Sequence, residues 1–346
     1  MSSRAPARPR RGAGRVTLDT VAAAAGVSAI TVSRFFNRPQ RLSAATRERI
    51  AAAVEQLGYV PNQVAGGLAS ARGRIAGMVV PNISGPIFAG TIQAFNETLD
   101  AHGYQSLLAS SYFSLEAEER AVRAFLGWNP AGLVLTSRVH STATERLIAS
   151  ARIPVIEAWE YAPERASPQV GFSHRQVGID AVTHLLAQGH RRIAFVHNSI
   201  AGDYSARQRA DGYSAAMLAA GLQPRLFTPT PSAPFEAGRQ AMQELMARAP
   251  RPQAIVFAND NLAAGGLLAG VRAGLRIPED CAVFGFGDYP FAELLLPSLT
   301  TIRPPAREIG EHAAQLLLEA AGALPPEPAP RPPIKLECRL VRRESA

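Results

Sequence analysis

The residues of this sequence best suited to bind a charged partner are arginines, and they are unevenly placed. Residues 1–74 hold twelve of them, among them Arg34, Arg38, Arg41, Arg47 and Arg49, against only Asp19, Glu48 and Glu55. The first fifth of the chain therefore carries a formal charge of +9. The whole chain carries +8, which leaves −1 for the remainder. Clustered arginine is a common means of neutralising phosphate. A solvated basic tail explains residues 1–15 as well, but not the arginines woven into the helical segments that follow. Enzyme chemistry finds no comparable foothold. The sequence has no nucleophile elbow, GxGxxG or GKS/T loop, and the glycines of FGFGD (284–288) read as strand-end turns. Cys281 and Cys338 provide neither a disulfide framework nor a paired-cysteine metal pattern, and they point to a reducing, cytoplasmic compartment. No cofactor or metal is expected, and no enzyme.

Short helices must hold those arginines. Thr17 is placed to cap a helix running to Ala25, which Gly26 ends. Ser28 caps a second helix through Phe36. Asn37–Gln40 form a loop, and Ser43 opens a third helix with an apolar face at Ile50, Val54 and Leu57. Gly58 ends that helix and Pro61 blocks its continuation. Leu18, Val21, Ala22, Val27, Val32 and Phe35 supply an inner face. Ala29, Ile30, Ser33 and Arg34 fall on the outer face of the second helix, small enough to enter a major groove. Two short helices meeting at a glycine turn satisfy the needs of a helix-turn-helix. Helical patterning alone fits a generic three-helix bundle too.

Beyond Ile75 the rhythm changes. Apolar runs of strand length alternate with amphipathic helical stretches: 75–80, 105–109, 132–136, 154–158, 193–197, 254–258, 282–286 and a closing KLECRLVRR at 335–343. Such runs indicate βαβ units and parallel sheets buried on both faces. About 270 residues is long for one open sheet, so two α/β subdomains are expected, with no sequence signal for where the chain crosses between them. Pro325–Pro333 reads as a surface loop. With 346 residues and 47% hydrophobic composition the chain can bury sizeable cores. No apolar run approaches the roughly 20 residues needed to cross a bilayer, and no h-region follows the basic start.

The stretches TLDTVAAAAGVSAITVSRFFN (17–37), LSAATRERI, LGYVPN and VAGGLAS resemble the N-terminal domain of the LacI/GalR family of bacterial regulators. The likeness continues through QGHRRIAFV, RADGY, FANDNLAAG, VFGFGD, PSLTTIR and LVRRES. HGYQSLL, GWNPAGLVLTSRVHS, IPVIE and VGFSH look most like the gluconate-repressor subgroup. The resemblance implies a fold of two kinds: a small all-α helix-turn-helix domain (16–61), then an α/β periplasmic-binding-protein-like effector and dimerisation domain (73–346) of two doubly wound subdomains. A disordered basic arm (1–15) and a hinge (62–72) complete the expected organisation. By the same resemblance Ala29, Ile30 and Arg34 meet base edges. Thr17 belongs with the DNA-facing residues, while Ser28, Thr31, Ser33, Asn37, Ser43, Thr46, Tyr59 and Asn62 mainly hold phosphates. Ala29 and Ile30 carry no hydrogen-bonding side chain, so readout there is apolar. Leu68 is the implied minor-groove wedge of a hinge helix that folds on DNA. Gly66 and Gly67 depart from the common pattern and lower helix propensity by roughly 0.5–1 kcal/mol each. The implied partners are a palindromic DNA operator, a second copy of the chain in a homodimer and a small-molecule effector, with no membrane.

Ligands in open α/β sheets sit beyond the carboxyl ends of the strands. That places Thr136, Arg138, Phe172, Arg209, Asn259 and Asp288 as effector-binding candidates of the resemblance. Glu157 and Trp159 either enter the cleft or serve as buried structure. Phe172 is a stacking platform or plain core, and His140 and His174 read as surface polar residues. Gly287 stands where many hexose-responsive relatives carry an aspartate, and Asp288 either replaces it or caps a turn. Arg209 together with Arg138 favours an anionic effector such as gluconate or a ketogluconate, relieving repression on binding. The rival readings are a regulator answering to a neutral sugar, a purine or a co-repressor and, more distantly, a periplasmic sugar-binding protein.

Overall fold

The computed structural model describes residues 16–60, 73–83, 85–164, 167–325 and 332–346. The chain divides into two compact units, Met1–Ala71 and Arg72–Ala346. The expected arm (1–15), the hinge (62–72) and most of the proline-rich loop lie outside the described residues.

Among its described residues the first unit holds three α-helices, α1 (Leu18–Ala25), α2 (Ala29–Asn37) and α3 (Ala44–Leu57). Each begins where a hydroxyl can accept from an orphan backbone N–H. Thr17, Ser28 and Ser43 accept from Thr20, Thr31 and Thr46 respectively. Gly26 ends α1 at φ +61°, a conformation that lets the chain turn sharply into α2. Val21, Ala22, Ala25, Val32, Ile50 and Ala53 form the small buried core, flanked by Leu18, Val27, Phe35, Val54 and Leu57.

The second unit contains two six-stranded sheets. In the first, β1 (Ile75–Val80), β2 (Gln105–Ser110), β3 (Gly132–Leu135), β4 (Val155–Glu160), β5 (Gln169–Phe172) and β11 (Ile334–Lys335) lie in the order β11-β5-β4-β3-β1-β2. In the second, β6 (Ile193–Val196), β7 (Arg225–Phe227), β8 (Ala254–Phe257), β9 (Ala282–Phe286), β10 (Thr300–Arg303) and β12 (Arg339–Val341) take the order β12-β10-β9-β8-β6-β7. Every pairing is parallel except β10–β12. Central strands such as β3, β6 and β8 are buried at every residue, as continuous apolar runs require. The helices are α4 (Ala89–Ala101), α5 (Leu115–Leu126), α6 (Thr142–Ala151), α7 (His174–Ala187), α8 (Tyr204–Ala219), α9 (Pro234–Ala247), α10 (Asp260–Arg272) and α11 (Ala306–Ala320).

The closing segment 335–343 is not one strand, as its pattern suggested. It splits into β11, which extends the first sheet, and β12, which extends the second. The chain thus crosses between sheets three times: after β5, after β10 and between β11 and β12. The intervening Leu336–Cys338 makes the third crossing, and no local preference announces it. Three short strands, β5, β7 and β10, also escaped the apolar pattern. β10 is buried through Thr300 and Thr301, whose hydroxyls donate to the Ala346 carbonyl and to Asp260.

Candidate DNA-binding and effector sites

The outer surface of α2 carries the residues expected to face a duplex. Ile30 is 66% exposed although fully apolar. Arg34 is exposed, and Ser33 and Thr31 are half-buried. Ser28 and Thr31 have a dual geometry, because their hydroxyls bond each other at 2.9 Å while Ser28 caps the helix. Ser43 and Thr46 repeat the arrangement at 2.8 Å. Thr17 is exposed at the start of α1, its hydroxyl bonded to that of Thr20 at 2.9 Å. Ala29 is half-buried and packs against the helical core, so part of its methyl group is already committed. Tyr59 is half-buried and meets Phe36 at 6.0 Å between ring centroids. Asn37 closes α2. Asn62, Gly66, Gly67 and Leu68 lie outside the described residues.

The candidate effector site is built where the carboxyl ends of the two sheets meet. Phe172 ends β5 and Phe286 ends β9, and their rings stand 6.2 Å apart between centroids. Trp159 packs on Phe172 at 5.8 Å and donates from Nε1 to Thr91 at 3.2 Å. Phe172 is therefore a buried wall joining the two sheets.

Arg209 rises from the second turn of α8. Its position is fixed by the close approach of α7, since a Cβ on Gly178 would lie 2.0 Å from the Arg209 carbonyl oxygen. The guanidinium is 5% exposed and lies 4.3 Å over the Phe286 ring. Nη1 donates to Nδ1 of His174 at 2.9 Å and Nη2 to the Ala258 carbonyl at 3.1 Å. Nε is buried with no hydrogen-bond partner, and among the described residues no carboxylate forms an ion pair with this arginine. Burial lowers its pKa from the ordinary arginine value, opposed chiefly by the field of Asp203. Guanidinium nonetheless remains charged in a protein.

Arg138 is differently placed. It pairs with the buried Glu160 at 2.9 Å and with Glu164 at 3.0 Å. Burial pushes the Glu160 carboxyl up, while Gln208 and Arg138 pull it down. Because Gln208 donates to Glu160 at 2.9 Å, this carboxylate links β4 to α8 across the cleft. Thr136 is buried, and its hydroxyl donates to the Val79 carbonyl at 3.0 Å. Asn259 caps α10 by accepting from Leu262 at 3.1 Å. The Asp288 carboxylate is held by Arg303 at 2.5 Å and Arg343 at 2.8 Å, so it faces cations of the protein itself.

The histidine expectation needs correcting. His140 and His174 are not surface residues; both side chains are buried. His140 donates from Nδ1 to Glu118 at 2.7 Å and lies 3.9 Å from Glu157 through Nε2. His174 accepts from Arg209, which requires a neutral ring protonated on Nε2. Local sequence patterns gave no sign of Glu118, Glu160, Asp203 and Tyr289. Ser111, Glu118, Thr136, Ser137, Asp203 and Ser205 together line a pocket between elements of the two sheets. Asp260 receives Thr301 Oγ1 at 2.7 Å and the Tyr289 N–H at 2.9 Å. Burial pushes its pKa up to about 6. Among the described residues no cluster of His, Cys, Asp and Glu could hold a metal ion, and no helix is long and apolar enough to cross a membrane.

Comparison with known proteins agrees with both units. Residues 17–62 match the model for bacterial regulatory proteins of the lacI family, and residues 182–346 match a periplasmic binding protein-like domain. The chain is 33% identical over 304 residues to the HTH-type transcriptional regulator GntR of Escherichia coli strain K12, covering 88% of this chain and 91% of that protein. It is 34% identical over 311 residues to GntR of Pseudomonas aeruginosa, covering 89% and 90%. Among solved structures, the lac repressor dimer bound to operator and the anti-inducer ONPF superposes with a TM-score of 0.81 at 27% identity, over 96% of this chain and 99% of that one. Similarity at this level over both units, on a capped helix-turn-helix and a two-sheet effector fold, carries one conclusion: the chain belongs to the lacI family of bacterial regulatory proteins and is a DNA-binding transcriptional regulator, not an enzyme.

Proposed function

We propose that this regulator represses genes of sugar-acid catabolism and leaves its operator when a gluconate-like or ketogluconate-like anion occupies the cleft. One observation carries the reading: Arg209 is a buried cation that forms no ion pair with any carboxylate among the described residues, and its Nε is left without a hydrogen-bond partner. A buried charge without a partner is costly, and a carboxylate arriving with the ligand would remove that cost while filling the open Nε valence. The DNA side rests on Ile30 and Arg34 projecting from α2, with Thr17, Ser28, Thr31, Ser33, Asn37, Ser43, Thr46, Tyr59 and Asn62 contacting the backbone from a paired chain. Residues 62–72 form the hinge in this reading, with Leu68 as its wedge. Effector and operator affinities are then linked through the ordering of that hinge.

A second reading has its own support. Arg138 is neutralised by Glu160 and Glu164, and Glu118 and Asp203 line the neighbouring pocket, a setting suited to sugar hydroxyls. A similar structure carries cellobiose and another carries sucrose. Calorimetric titration with D-gluconate, ketogluconates, neutral hexoses and purines separates the two. Tightest binding of a sugar acid, lost in Arg209→Met, supports the first; tightest binding of a neutral sugar overturns it.

A further inference from the structure

Gly287 and Tyr289 compete for one small volume. Gly287 adopts φ +131°, and a Cβ placed there would lie 2.4 Å from Cε1 and 2.8 Å from Cδ1 of Tyr289. Both the backbone and the ring therefore exclude a side chain at 287. The ring is firmly held. The Tyr289 N–H donates to Asp260 Oδ2 at 2.9 Å, and Asp260 is itself pinned by Thr301 at 2.7 Å. Phe291 stands edge-on to the ring at 5.8 Å between centroids. Tyr289 is buried at the carboxyl end of β9, yet its hydroxyl makes no hydrogen bond with any described residue.

We propose that Tyr289 sets the selectivity of the effector cleft: its ring takes the place of a side chain at 287, and its hydroxyl donates to the carboxylate end of the effector beside Arg209. This rests on the sugar-acid reading above and names the second residue that would enforce it. The chemistry of the exchange is specific. A carboxylate at 287 would accept from sugar hydroxyls and repel an anion, whereas a phenol donates to an anion and gives hydroxyls one partner fewer. Burial, Asp260 and Asp203 push the phenol's pKa up, against the pull of Arg209, so it keeps its proton as a donor. Arg209 stands at the same strand ends, its guanidinium 4.3 Å over the Phe286 ring and bonded to the carbonyl of Ala258, two residues before the Asp260 that holds the Tyr289 backbone.

The test is Tyr289→Phe, which keeps the ring, its edge contact and the backbone bond to Asp260. Titration of the wild type and the variant with D-gluconate and with D-glucose reads the hydroxyl alone. Affinity for gluconate should fall about 10-fold or more, as expected for loss of a hydrogen bond to a charged group, with glucose binding and melting temperature unchanged. Equal gluconate affinity in the two proteins overturns the role of Tyr289 and leaves the sugar-acid reading standing. Should the wild type prefer a neutral sugar, that reading fails. The role of Tyr289 as a donor to the effector carboxylate then falls with it. Absence of binding to both ligands overturns both.

Discussion

Nη1 of Arg209 donates to Nδ1 of His174 at 2.9 Å, joining the second turn of α8 to the first residue of α7. The bond can exist only while the imidazole is neutral. Burial first, then the charges of Arg209 and Arg138, hold the His174 pKa well below its ordinary 6.5, with the Trp159 backbone acting the other way.

A pH dependence follows with a definite sign. In the unfolded chain His174 takes up a proton below about pH 6.5, whereas in the folded protein it resists doing so. Its contribution to stability is complete above that pH and is lost progressively as pH falls from there toward the depressed folded value. Thermal melts between pH 7.5 and 5.5 should show a steeper acid loss for the wild type than for His174→Gln. Each pH unit is worth at most about 1.4 kcal/mol. Parallel curves would remove this role.

Asp260 should behave oppositely. Its folded pKa is raised from 3.8 to about 6, so its contribution to stability is present below pH 3.8 and is lost as pH rises through 6. Asp260→Asn keeps an acceptor for the Tyr289 N–H, and the Thr301 hydroxyl can turn to accept from the new amide. Relative to wild type the variant should therefore gain stability between pH 4 and pH 7. A relative loss over that range would mean the carboxylate is needed in its charged form.

On DNA, Arg34→Ala should weaken binding to the cognate operator by about 1–3 kcal/mol and relax preference at one base position, as expected for loss of a bidentate guanine contact. Replacing Ile30 by Ser should instead alter preference for thymine, because its exposed side chain offers only apolar contact. Selection from a randomised palindrome reads both. A uniform loss across all sequences for Arg34→Ala would reassign it to the phosphate backbone.

Gly67 lies outside the described residues, and its prediction comes from helix propensity alone. Gly67→Ala should tighten operator binding, since about 0.5–1 kcal/mol less is spent in ordering the hinge helix. Weaker or equal binding in an anisotropy titration would contradict a hinge that folds on DNA.

Local signals in the sequence read well, and long-range ones did not. Thr17, Ser28 and Ser43 cap where their hydroxyls preceded apolar-periodic runs, and Gly26 and Gly58 end helices in the left-handed conformation that favours glycine. The apolar runs gave seven strands to within two residues, because burial on both faces leaves a continuous pattern. The divided course of 335–343 was hidden because neighbouring sheet edges, not local preference, decide where Ile334–Lys335 and Arg339–Val341 pair. His174 looked polar and proved buried, since only the fold brings Arg209 and Phe172 to its ring. The Tyr289 ring over Gly287 was equally invisible, although the glycine was already conspicuous as a departure.

Operator binding released by a sugar acid is the defining behaviour proposed for this regulator. Fluorescence anisotropy of labelled palindromic fragments from DNA upstream of the chain's own coding sequence, with and without D-gluconate at low ionic strength, tests it most directly. Saturable binding to one fragment, weakened at least 10-fold by gluconate, is the predicted result. Binding to no palindrome, or binding to one that gluconate leaves untouched, would contradict it.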